Sequence, residues 1–216
     1  MITNNAVALT LADFQTQLGD IPAERIRLSP APGTATQADC IAANENEPRG
    51  LCELVDGTLV DKAMGFEASV VAITIARILG HFVALHRLGL VSGTDGFFCL
   101  PSSTRAPDVA FLSRDRLPNG RFPQQAHPQL APNVVVEVLS PGNTRAEMAR
   151  KRMEYFYAGV ELIWMVDCPN RSVAIYKSPT EFVVVGETDT IDGGTVLPGF
   201  SCTAADFFTD LDLGMP

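Results

Sequence analysis

The sequence predicts a mixed α/β domain built on a central sheet, and three observations lead there. Predicted elements run in the order long helix, strands, helix, strands. The run Asn133-Val134-Val135-Val136-Glu137-Val138-Leu139 has the length and valine content of an interior strand, and Ser140-Pro141-Gly142-Asn143 ends it. Asp56-Gly57 lies between two short apolar runs, a strong local signal for a hairpin. A chain of 216 residues, 46% hydrophobic and 19% charged, suits one domain, or one domain with an extension.

Residues 1–48 read as an N-terminal extension packing on the core, and 49–216 as the core domain. The extension holds a short amphipathic segment after Thr10, a Pro/Gly-rich link from Ser29 to Gly33, and a second short helix that Thr36 would cap, through Asn44. Cys52–Val55 and Thr58–Val60 form the arms of the hairpin. From about Phe66 to Leu88 the residues Val70, Thr74, Ile75, Ile78, Phe82 and Leu85 recur at three and four and mark a long helix. Strands are expected at Gly96–Leu100 and Asp108–Leu112, then a Pro-rich loop, then the Glu137 strand. Thr144-Arg145-Ala146-Glu147 has the capping-box pattern, so a helix should start there and stop at Ala158-Gly159. Further strands are expected at Leu162–Val166, Ser172–Tyr176 and Phe182–Val185, and a short helix at Thr203–Phe208.

Charge and cysteine usage narrow the function classes. A net charge of -9 opposes passive nucleic-acid binding by the molecule as a whole, although a local basic strip can still carry phosphate contacts. Five widely spaced cysteines with no C-x-x-C pair point to neither a zinc site nor a disulfide framework, and reduced thiols fit a cytoplasmic location. The N-terminus lacks a basic secretory pattern, and no apolar stretch reaches the ~18 residues a membrane span needs, the longest candidate, Val70 to Leu90, containing Arg77, His81, His86 and Arg87. No membrane partner is expected.

Glu137 is the misfit in this pattern. A carboxylate in so apolar a strand needs a partner. Asp108 follows Pro107 and opens another strand-like run, so the two carboxylates can face each other and share a divalent cation that activates water at a phosphodiester. An acid after proline is equally a plain turn former, and Glu137 can be an outward residue of an edge strand. Glu53, on the first hairpin arm, is a third candidate; alternation would put it on the solvent face. Lys151 lies about two turns into the helix after Glu137, where it can reach back over the sheet. Periodicity favours a solvated lysine there, paired with Glu147 and away from a stripe of Ala149, Met153 and Phe156. Arg145, Arg150 and Arg152, with Lys151, form a basic cluster suited to a phosphate backbone. Paired carboxylates also serve glycosidases, but one Trp and three Tyr offer little sugar platform.

Taken in order, Cys52-Glu53-Leu54-Val55-Asp56-Gly57, Pro107-Asp108-Val109-Ala110, Val136-Glu137-Val138-Leu139-Ser140-Pro141, Lys151 to Tyr155, Ala158-Gly159-Val160 and Trp164-Met165-Val166-Asp167 resemble the Uma-type restriction endonucleases, a bacterial family of the PD-(D/E)xK nuclease superfamily. The likeness spans about residues 50–185. It implies a restriction-endonuclease-like core, a mixed sheet flanked by helices, with Asp108, Glu137 and the carbonyl of Val138 as ligands of Mg²⁺, or Mn²⁺. The superfamily's usual lysine position is Leu139 here; the family's relocated lysine matches Lys151, and Glu53 matches its additional acid. Glu67 stands where many relatives carry His. The function implied is Mg²⁺-dependent endonucleolytic hydrolysis of DNA, with a homodimer as a simple way to cut both strands. The rival expectation is an inert nuclease-fold interaction or regulatory module.

Overall fold

The computed structural model describes residues 10–46 and 50–213. Helix α1 (Leu11–Gln17) starts at Thr10, whose side chain accepts from the Asp13 N–H while Asp13 caps it in return. Helix α2 is Gln37–Asn46. Strands β1 (Cys52–Val55) and β2 (Thr58–Asp61) form the expected hairpin. Its turn has positive φ at both Asp56 (43°) and Gly57 (67°), and a Cβ on Gly57 would lie 2.7 Å from the backbone of Gly33.

Helix α3 (Phe66–Leu85) is followed by β3 (Gly89–Ser92), β4 (Phe98–Cys99), β5 (Ser103–Arg105), β6 (Val109–Ser113) and β7 (Val134–Val138). Next come α4 (Arg145–Tyr157), β8 (Leu162–Asp167), β9 (Ser172–Tyr176), β10 (Phe182–Val185), β11 (Thr190–Asp192) and β12 (Ser201–Thr203), and a 3-10 helix over Ala204–Asp212 closes the described chain. The central sheet has the order β10-β9-β8-β7-β6-β3. Its β7–β8 pair is parallel, as the α4 crossover between them requires, and its other pairs are antiparallel. A second sheet, β2-β1-β5-β4, stands beside it, and β11 and β12 pair separately.

Side-chain alternation divides the central sheet between two cores. On one face Val109, Phe111, Val134, Val136, Val138 and Trp164 pack with α3 and the C-terminal 3-10 helix. On the other, Ala110, Leu112, Val135, Ile163 and Met165 pack with Met148 and Tyr155 of α4. Each large side chain so buried contributes on the order of 2 kcal/mol.

Several expectations change. The buried stripe of α3 is Val71, Ala72, Thr74, Ile75, Leu79 and Val83, while Leu85 is exposed. Neighbouring registers were equally apolar in sequence, so periodicity alone did not choose between them. By length and hydropathy α3 also meets the test for a membrane-crossing helix, contrary to expectation, yet its inner stripe belongs to the protein core. Strand β5 was missed because Ser103-Thr104-Arg105 is polar although wholly buried. Strand β3 was missed because it follows α3 within four residues, and the short β11 and β12 were missed as well. The expected Gly96–Leu100 strand shrinks to two residues.

Candidate active site

The hydrogen-bond register sets the geometry. Val109 pairs with Val136 across the antiparallel β6–β7 ladder, which places Asp108 beside Glu137 on the face covered by α4. The Asp108 N–H donates to the Val136 carbonyl at 3.1 Å, and the Val138 N–H donates to Asp108 Oδ2 at 2.7 Å. Pro107 cannot donate to a ladder, so the regular strand begins after Asp108 and the carboxylate sits at its mouth.

Glu137 points inward. Lys151 Nζ donates to both its oxygens at 3.3 Å, and the Tyr155 hydroxyl donates to Oε1 at 2.6 Å. The same ammonium donates to Glu53 Oε1 at 3.2 Å, so Lys151 bridges two carboxylates. Glu53 also accepts from the Ala106 N–H at 3.1 Å and from Arg105 Nη1 at 2.9 Å. Arg105 in turn reaches Glu154 of α4 at 2.7 Å. Glu53, Arg105, Glu137, Lys151 and Tyr155 are all buried.

Electrostatics follows from this packing. Burial is the largest influence on Glu137 and raises its pKa; Lys151 opposes the rise, while Asp108 and Glu53 add to it. Burial would also raise Glu53, but Lys151, Arg105 and Lys62 together hold it down to about 2. For Lys151 burial favours the neutral amine, yet Glu137 and Glu53 outweigh burial and raise its pKa. It is therefore a cation at neutral pH and cannot act there as a proton acceptor. Tyr155 is raised well above its ordinary value by burial and by the same two carboxylates, so its hydroxyl stays a donor.

Access comes from the Asp108 side. A pocket of about 100 Å³ is lined by Asp108, Lys62, Thr94, Ser140, Gly65 just before α3 and Ser69 near its start. Among the described residues, no group of three or more His, Cys, Asp and Glu forms a metal cage. Asp108 and Glu137 still fit a hard divalent ion by donor chemistry. They are adjacent oxygen donors, and the proximity of Asp108 is one reason Glu137 resists ionisation, a repulsion that a cation would relieve.

A family profile named Uma2, described as "Putative restriction endonuclease", matches residues 38–205, more than half of the chain. The chain belongs to this family. A crystal structure described as a putative nuclease belonging to DUF820, from Anabaena variabilis ATCC 29413, superposes with a TM-score of 0.68 at 17% identity, covering 76% of this chain and 92% of that one. The fold is accordingly restriction-endonuclease-like, a mixed α/β core of the nuclease type. No curated protein matches the chain.

In this Uma2 chain Glu53, Glu137 and Lys151 are joined by direct contacts, and Asp108 lies next to Glu137. Two of the blander sequence readings are overturned. Lys151 is not a solvated lysine: the inner face of α4 is Glu147, Met148, Lys151 and Tyr155, whereas Met153 is exposed. Glu53 is not on a solvent face, because β1 is buried along its whole length. The expected basic cluster is also dispersed. Arg150 pairs with Asp56 and Glu154, Arg152 lies over the Tyr176 ring and donates to the Pro179 carbonyl, and Arg145 is exposed. Glu67 is exposed in the first turn of α3.

Sequence reasoning missed Arg105, Tyr155 and Lys62. Lys62 Nζ stands 2.9 Å from Asp108 Oδ1. Tyr155 had a readable signal, since it lies four residues after Lys151 and so one turn along the same helix face. Arg105 and Lys62 had none, because their partners are distant in sequence.

Proposed function

We propose that this Uma2 chain is a Mg²⁺-dependent endonuclease that hydrolyses phosphodiester bonds of DNA. The observation that carries this reading is the placement of Asp108 beside Glu137 on one sheet face, with the Lys151 ammonium held against Glu137. Asp108, Glu137 and the Val138 carbonyl would hold the ion. Bound there, Mg²⁺ supplies Lewis-acid activation of water and neutralisation of phosphate charge.

The protein's own groups divide the remaining work. Lys151, fixed by Glu53 and Glu137, is a donor that orients water and stabilises negative charge developing on the phosphate. Glu53 and Tyr155 are positioning residues, one holding Lys151 and the other Glu137. Arg105 holds Glu53 in turn. The rim at Asp108 and Ser140 is where a phosphate enters.

Purified protein with Mg²⁺ or Mn²⁺ should nick or linearise plasmid DNA. Glu137→Ala should lose both cleavage and calorimetric metal binding. Lys151→Met should reduce cleavage at least a hundredfold and destabilise the fold by about 3–5 kcal/mol, because it leaves buried Glu137 without its bonded cation while Glu53 keeps Arg105. No cleavage under any divalent ion, with metal binding unchanged in Glu137→Ala, refutes the reading. One observation favours the rival, inert module: Lys62 already neutralises Asp108. Metal binding by the wild type decides against that rival.

A further inference from the structure

We infer that Lys62 is a resident cation of the carboxylate centre, competing with the divalent ion for Asp108 and so setting the metal concentration at which the site loads. This rests on the metal-dependent reading above and concerns a residue that reading does not use.

Lys62 follows directly on the last residue of β2, and its side chain turns into the protein, 7% exposed. An ammonium has three donors, and here three acceptors surround it: Asp108 Oδ1 at 2.9 Å, the Ala106 carbonyl at 2.7 Å and the Thr94 carbonyl at 3.0 Å. Its bonding capacity is therefore filled by the protein. The other oxygen of Asp108 accepts from the Val138 N–H at 2.7 Å. Each Asp108 oxygen thus has a partner, and of the two partners only Lys62 carries charge. Lys62 and Asp108 also line the same open pocket, so an entering ion meets the ammonium on arrival.

The two lysines of the centre divide its acids. Lys151 approaches from α4 and takes Glu137 and Glu53, whereas Lys62 approaches from the hairpin and takes Asp108. A Mg²⁺ ion held by Asp108 would share that carboxylate with the Lys62 ammonium. Like charges on one carboxylate in a poorly solvated site repel strongly. Loading therefore requires the ammonium to leave Asp108, and the two backbone carbonyls give it a place to stay while it does.

The test is Mg²⁺ titration calorimetry on the full chain, comparing wild type with K62Q, K62M and K62R. K62Q keeps amide donors for the Ala106 and Thr94 carbonyls without the charge, and K62M removes both. K62Q and K62M should bind Mg²⁺ at least tenfold more tightly than wild type, and K62R should bind as wild type does. Unchanged or weaker binding by K62Q overturns the inference while leaving the metal site standing. Absence of binding in wild type and K62Q alike overturns the metal-dependent reading and this inference with it. Lysine-ammonium NMR on the wild type gives an independent measure that needs no variant. Saturating Mg²⁺ should shift or abolish the hydrogen-bonded Lys62 signal, and a signal unmoved while metal binds refutes the displacement.

Discussion

Glu53 and Glu137 share a lysine yet titrate in opposite senses, which separates their effects on stability. Glu53 is held down to about 2, against an ordinary 4.5, so its contribution is complete above about pH 4.5 and is lost as pH falls toward 2. Glu137 is raised, so its ionised form costs stability, and protonation relieves that cost as pH falls through its raised pKa toward the ordinary 4.5. Urea midpoints at pH 7, 4.5 and 3 should show this. Wild type should gain more stability than Glu137→Gln between the first two values, and both should lose it between the last two. An identical gain in the two proteins would contradict the raised Glu137. At this scale Glu137 was legible, because a carboxylate among valines is a visible anomaly, whereas strand alternation put Glu53 on the wrong face. Lys62 was not legible, since a lysine after a hairpin arm looks like any solvated charge.

Among the elements, α4 explains most of what the sequence concealed. Its capping box, Thr144 with Glu147, and its stop at Gly159 (φ 95°) agree with expectation. Its inner face was misread because that face carries a glutamate, a lysine and a tyrosine, and hydrophobic periodicity seeks apolar groups. The hairpin of β1 and β2 was legible from Asp56-Gly57, whereas polar β5, buried by its ion pairs, was not. Glu147 also anchors the N-terminal segment. Arg25 reaches its two oxygens at 2.9 and 2.7 Å and donates to the carbonyls of Asp61 and Gly142. Arg25→Ala leaves Glu147 buried with much less compensation and should cost about 3–5 kcal/mol in urea unfolding. A loss below about 1 kcal/mol would show that Glu147 finds water or another partner instead.

For the molecule as a whole, the acidic excess and the dispersal of the basic cluster bear on DNA binding. Of the four basic residues expected to follow a phosphate backbone, Lys151 is buried, Arg150 is doubly ion-paired, and Arg145 and Arg152 remain at the surface groove beside Ser140 and Tyr176. With about two phosphates neutralised, the logarithm of the DNA affinity should fall with the logarithm of salt at a slope near −2. A slope of −4 or steeper would mean that the surface rearranges on binding or that another basic face takes part. The α/β class was readable from element order. The division into two sheets was not, because it depends on which polar strand pairs with the hairpin, a choice made by contacts between residues far apart in the chain.

Arg105 has a mechanical consequence. Its guanidinium, 1% exposed, fastens Glu53 of the hairpin to Glu154 of α4, so one sheet is riveted to the helix that backs the other. Prising the two apart would leave Glu53 to Lys151 and Glu154 to Arg150, and the Arg105 guanidinium would lose a carboxylate. Any shift of the hairpin against α4 must therefore break a buried ion pair on one side of Arg105 or carry both elements along together.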